Sequence, residues 1–178
     1  EAILSGWITT GPRTKEFERL IAICCQTKKA VALNSATAAM ELTLRVLGVG
    51  PGDEVILPTP CWVSYVEMVK LAEGKSVLVR TTMENNFCLT GAQLEAAITP
   101  RTRLLVLCTP NNPTGSVYSH EALVEIVRVL EKHPEISVIS DEIYEHILYT
   151  GHHESLGQFA SLKDRVVIIN GVSKSHAM

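Results

Sequence analysis

Leu104-Leu105-Val106-Leu107-Cys108 runs into Thr109-Pro110-Asn111-Asn112-Pro113-Thr114-Gly115. A segment opened by Ser119 follows, in which Leu123, Ile126, Val127 and Leu130 recur at helical spacing, and then Ile136-Ser137-Val138-Ile139-Ser140. A short apolar run, a Pro-rich turn, an amphipathic helix ended by Pro134 and a second β-branched run make one strand–helix–strand unit. Such a crossover predicts parallel strands. The same alternation extends in both directions. Further strands are predicted at Ala30–Leu33, Glu54–Leu57, Ser76–Val79 and Val166–Asn170. Helices are predicted from about Ala36 to Leu47, near Trp62 to Ala72 and near Thr14 to Cys24. Ser35 can cap the first of these, and Gly48 with the Gly50-Pro51-Gly52 turn ends it. The predicted fold is α/β, three layers (αβα) around a mostly parallel sheet of about six strands.

A chain of 178 residues, 46% hydrophobic and 20% charged, suits one soluble domain with a sizeable core. The net charge of −3 and the lack of a Lys/Arg stripe argue against a nucleic-acid partner. No apolar stretch approaches the roughly 18 residues that would suggest a membrane span. The first residues lack the basic and apolar regions of a secretory signal, and they lack an initiator Met, which admits processing or a fragment. Cys24, Cys25, Cys61, Cys88 and Cys108 are odd in number, irregularly spaced and contain no CxxC pair. They read as reduced, buried thiols of a cytoplasmic protein. His152 and His153 read as solvated loop residues, and no metal site is expected.

Open α/β sheets bind ligands beyond the carboxyl ends of their strands, and the unusual residues fall there. Ser35-Ala36-Thr37-Ala38-Ala39 opens a helix whose free amides suit a phosphate, although capping alone also explains Ser35. Trp62 follows the Glu54–Leu57 run and can stack on a flat ligand or serve as a core residue. Asn112 can donate to a ligand oxygen, or simply close a turn. Asp141 follows an apolar run, so partial burial makes it need a cation or donors; the competing reading is a cap on the next turn. Lys174 comes just after Val166–Asn170, where proximity to a core would desolvate its amine and make it nucleophilic. Phosphate cradle, stacking surface, hydroxyl partners, ring-nitrogen carboxylate and amine together match pyridoxal 5′-phosphate.

These motifs give the chain a family resemblance. Pro58-Thr59-Pro60-Cys61-Trp62-Val63-Ser64-Tyr65, Asn111-Asn112-Pro113-Thr114-Gly115, Ser140-Asp141-Glu142-Ile143-Tyr144 and Ser173-Lys174-Ser175-His176-Ala177-Met178 resemble the fold type I pyridoxal-phosphate aminotransferases. From about Ile56 onward the likeness is to the class I/II, aspartate-type enzymes. It implies that Lys174 forms the Schiff base and shuttles the proton, and that Asp141 pairs with the pyridinium nitrogen. It further implies that Asn112 and Tyr144 bind the ring hydroxyl oxygen, Trp62 stacks on the ring, and Ala36 and Thr37 hold the phosphate. The implied reaction is transamination between an amino acid and a 2-oxo acid in a homodimer.

The earlier segments Ser5–Pro12 and Ala32–Met40 instead look like nucleotide-sugar aminotransferases. That change predicts a chimera joined near the second strand, with a divergent natural sequence as the alternative. Class I enzymes continue past the lysine with a Gly-Trp-Arg segment and a small domain carrying a substrate-clamping arginine. Residues 1–178 therefore read as a partial large domain without its C-terminal small domain. Sugar-nucleotide transamination and a non-catalytic fragment of the fold stand as the rival functions. A nucleotide-binding module finds no support, since neither GxGxxG nor GxxxxGK[ST] occurs.

Overall fold

The computed structural model describes residues 10–149 and 151–178. It divides into two compact units, residues 1–34 and 35–178.

Among the described residues, the first unit contains the helix α1 (Pro12–Cys24), with proline in its first turn, where no amide is needed. Arg19 Nε and Nη2 both bond Glu16 one turn away, at 2.8 and 2.7 Å. The strand expected at Ala30–Leu33 does not form. Its run is only four residues long, and the Ala32 amide donates to the Glu18 carboxylate at 2.8 Å instead of to a ladder. The likeness noted at Ser5–Thr9 lies outside the described residues.

The second unit is built on five strands rather than six: β1 (Glu54–Thr59), β2 (Lys75–Arg80), β3 (Thr102–Cys108), β4 (Ser137–Asp141) and β5 (Val166–Ile169). All neighbours are parallel, in the order β2-β1-β3-β4-β5. Four helices accompany them: α2 (Ala36–Val46), α3 (Ser64–Leu71), α4 (Gly91–Ala97) and α5 (His120–Lys132). Helix α4 was not expected. Its apolar content is slight, but a capping box marks it: Thr90 Oγ1 accepts the Gln93 amide and Gln93 Oε1 accepts the Thr90 amide.

Strand alternation sorts the side chains into two cores. Ile56, Leu105, Leu107 and Val138 pack with Leu94 of α4 and Leu123, Ile126 and Leu130 of α5. Val55, Leu57, Leu104, Val106 and Ile139 pack with Met40 and Leu44 of α2 and Tyr65, Met68 and Val69 of α3. The sheet thus lies between two helical layers. Truncating a fully buried side chain such as Leu105 or Ile126 to alanine should cost about 2–5 kcal/mol.

At the amino ends of the strands sits an ion cluster. Glu54 is only 2% exposed. Its carboxylate accepts from Thr99 Oγ1 at 2.6 Å, Arg101 Nη2 at 2.8 Å and Lys75 Nζ at 3.2 Å. The Thr99 hydroxyl first, then Arg101, hold its carboxyl down at about 2 against the opposing effect of burial. All five cysteines are thiols as expected, with Cys88 and Cys108 buried and Cys61 half-buried; Cys24 and Cys25, however, are exposed on and just after α1.

Candidate active site

In the strand order β2-β1-β3-β4-β5 the connections run one way from β1 to β2 and the other way from β1 across to β3 and beyond. A crevice forms at such a reversal, outside the carboxyl ends. The Asn111 amide spans that point, donating to the Pro60 carbonyl at 3.1 Å and the Thr114 hydroxyl at 2.7 Å. It ties the loop after β3 to the loop after β1.

Asp141 ends β4 and is 4% exposed. The Tyr65 hydroxyl donates to its Oδ2 at 2.6 Å, and the Ile143 amide to its Oδ1 at 3.2 Å. The second bond is the turn cap foreseen as an alternative, so the residue caps and stays buried at once. Burial pushes the Asp141 carboxyl above the usual range. Tyr65, the Ile143 amide and the positive charge of Lys174 pull the other way, while Glu142 adds to the rise. Tyr65 in turn is held strongly as the neutral phenol, first by its own burial and then by Cys108 and Asp141. No role had been expected of Tyr65; the Trp62-Val63-Ser64-Tyr65 run, which places Tyr65 in the first turn of α3, is the signal that could have located it.

Trp62 meets Tyr65 edge to face, ring centroids 5.5 Å apart. Ala36, Trp62 and Tyr144 all pack against the same core, the one containing Tyr65 and Ile139. Asn112 Nδ2 donates to the Tyr144 hydroxyl at 3.2 Å. Lys174 Nζ stands 6.0 Å from the centre of the Tyr144 ring. The expected burial of Lys174 is not met: it lies exposed in a turn beyond β5, too far past the last buried strand residue, Ile169, to be enclosed by the core.

At the start of α2, Ser35 Oγ accepts the Ala38 amide at 3.1 Å and the Ser35 carbonyl accepts the Ala39 amide at 3.0 Å. The amides of Ala36 and Thr37 precede both bonds, at the positive end of the helix. Thr37 is exposed and Ala36 half-buried.

His153 overturns its reading as a solvated residue. Its side chain is 13% exposed, and Nε2 lies 2.8 Å from Oε2 of Glu142, itself 2% exposed. The adjacent His152 is exposed, and no local sequence pattern tells the two rings apart.

A buried acid with two donors, an amide–phenol pair beside it, an amine over the phenol and a capped helix start form a donor set whose chemistry suits a pyridine ring bearing hydroxyl, aldehyde and phosphate groups. Fold and donor set together define the large domain of a fold type I transferase. The family model for aminotransferase class I and II matches residues 8–178, and the chain belongs to this family of pyridoxal-phosphate-dependent enzymes. It is 38% identical to an aspartate aminotransferase of Pinus pinaster over 189 aligned residues, covering 100% of this chain and 38% of that protein. It is 51% identical to a probable aspartate/prephenate aminotransferase of Rickettsia bellii over 129 residues, covering 71% of this chain and 32% of the relative. Among solved structures, the aspartate aminotransferase of Rhizobium meliloti superposes with a TM-score of 0.74 at 42% identity, covering 79% of this chain and 36% of that one. The chain therefore spans well under half the length of these relatives. The pine alignment runs through the point near β1 where the likeness was expected to change.

Proposed function

We propose that this chain carries the cofactor-binding part of an aminotransferase that moves an amino group between an amino acid and a 2-oxo acid on pyridoxal 5′-phosphate. The observation that carries the reading is Asp141: a buried carboxylate at a strand end, given donors by Tyr65 and Ile143 and standing beside the Asn112–Tyr144 pair.

When bound, the cofactor supplies an electron sink for the pair left behind as a bond at the substrate Cα breaks. The residues supply the rest. Asp141 keeps a proton on the ring nitrogen, since a buried carboxylate gains most from a cation beside it. Asn112 and Tyr144 direct N–H and O–H donors at the ring hydroxyl oxygen. Trp62 covers a ring face. Ala36 and Thr37 offer amides to the phosphate at the positive end of α2. Lys174 would hold the cofactor through Nζ and would serve to carry the proton at the substrate Cα. Its exposed position leaves that amine accessible.

The names of the relatives favour aspartate as amino donor. The exposed apolar side chains Phe17, Leu20 and Ile23 of α1 favour association with a second copy, and the reduced thiols suit the cytoplasm.

The test is an absorbance spectrum after adding pyridoxal 5′-phosphate, then borohydride reduction and peptide mapping, with Lys174→Ala alongside. A long-wavelength band trapped on Lys174 and lost in the variant supports the reading. Label scattered over surface lysines and unchanged in Lys174→Ala overturns it.

A further inference from the structure

Glu142 is the second buried carboxylate at the end of β4, and the proposed chemistry does not use it. Strand alternation sends its side chain to the face opposite Asp141. There three donors meet it: Ser140 Oγ and Ser155 Oγ each at 2.8 Å from Oε1, and His153 Nε2 at 2.8 Å from Oε2. The Glu142 amide is fixed too, donating to the Ile169 carbonyl at 2.8 Å. His153 and Ser155 come from beyond the loop that follows Tyr144, so the carboxylate closes that loop onto the sheet.

The His153 ring is bound at one nitrogen only; Nδ1 is buried and has no partner. With Nε2–H given to Glu142, the neutral ring leaves Nδ1 as an unfilled acceptor, a cost to stability without return elsewhere. A ring kept under that cost points to a use for the bond it does make. Burial favours the neutral ring, yet the bond to Glu142 and the charges of Glu142, Glu145 and Glu154 outweigh it and raise the His153 pKa. On the other side, Glu142 and Lys174 both bear on Asp141, the first raising its carboxyl and the second lowering it. The ligand atoms of Glu142, Glu145 and His153 lie within 4.8 Å of one another, but both Glu142 oxygens already hold donors, which makes the group an ion pair rather than a cation site.

We propose that His153 is a positioning residue: by clasping Glu142 it fixes the Asp141–Tyr144 turn, and so sets the Tyr144 hydroxyl against Asn112 and the cofactor ring oxygen. Two anchors grip the turn from opposite faces, Tyr65 on Asp141 and His153 on Glu142. Tyr144 lies two residues past the second anchor, so releasing it frees the phenol while Asp141 stays bound to Tyr65. The role rests on the cofactor reading given above.

The experiment compares the whole chain with His153→Leu, which keeps bulk but no donor, with His153→Gln, whose amide reaches a similar point, and with Ser155→Ala, which removes a single donor. The first readout is the pH midpoint of the bound-cofactor absorbance change. A donor on the ring oxygen favours its deprotonated form, so loosening Tyr144 in His153→Leu raises the midpoint by about half a pH unit or more. His153→Gln restores most of it, and Ser155→Ala gives a smaller rise. The second readout needs no cofactor: amide hydrogen exchange of the peptide from Ile143 to Ile147 quickens roughly tenfold in His153→Leu and recovers in His153→Gln. An unmoved midpoint in a folded, cofactor-bound His153→Leu overturns the proposal, as does unchanged exchange. Absence of any cofactor band in the unaltered chain sinks the aminotransferase reading instead, and the exchange measurement then judges the clasp separately.

Discussion

The Tyr65 hydroxyl and the Asp141 carboxylate, 76 positions apart in the chain, meet at 2.6 Å inside the second core. One residue comes from the first turn of α3 and the other from the last position of β4, so the bond couples a helix to the strand end it covers.

Removing that donor weakens the site. Tyr65→Phe leaves Asp141 with the Ile143 amide alone, and burial then acts on its carboxyl with less opposition. Hydrogen bonds to charged groups contribute about 1.5–3 kcal/mol, so the affinity for pyridoxal 5′-phosphate should fall by about tenfold or more. A spectrophotometric titration measures it; undiminished affinity would show that Asp141 manages without the phenol.

Asp141→Asn should separate stability from binding. A carboxyl whose folded pKa is raised destabilises the fold progressively as pH climbs from the unfolded value near 4 through the folded one, because the charged form is the costly form. At neutral pH the cofactor-free variant should melt at the same temperature as the parent chain or higher. Cofactor affinity should drop at the same time, since the ring nitrogen loses its counter-charge. Melting curves with and without cofactor decide the matter, and a large fall in the cofactor-free midpoint counts against it.

Glu54 gives the opposite sign. Its carboxyl is held at about 2, so the stability it contributes is complete above the ordinary value of 4.5 and is lost as pH falls through about 2. Glu54→Gln should lower the midpoint of denaturant unfolding at pH 7 while flattening its decline between those two values. The cofactor spectrum should stay as it was.

The thiols should react in a fixed order. Cys24 is exposed, whereas burial pushes the Cys88 and Cys108 thiols up to about 11. Maleimide at neutral pH should label Cys24 within minutes and reach Cys88 and Cys108 only after unfolding, as peptide mass mapping can follow. Prompt labelling of Cys108 would contradict the packing around Asp141.

Most of the sheet was legible because its strands are short runs of Val, Ile and Leu bounded by Pro, Gly and Asn, and Ser35 and Ser119 cap the helices where expected. Ala30–Leu33 misled for a physical reason: a run becomes a strand only with a neighbour, and the Ala32 amide found Glu18 first. Helix α4 carries its signal in a cap rather than in a stripe of apolar residues. At the site, the positions of Asp141 and Asn112 could be read because one ends a strand and the other lies in the loop just beyond one. The partners of those residues could not. Tyr65 and His153 reach their carboxylates through the folding of α3 and of the loop after Tyr144, and the adjacent pair His152 and His153 looks the same in sequence although only His153 turns inward.

The Glu54 cluster and Asp141 occupy opposite ends of the same sheet. A six-residue strand at about 3.3 Å per residue separates them by roughly 20 Å, about twice the screening length at ordinary ionic strength. The acid stability that Glu54 contributes and the proposed cofactor site therefore lie on separate shores of the molecule. Substitutions that retune the charged rim at one shore leave the electrostatics at the other largely untouched, so the two can be altered independently.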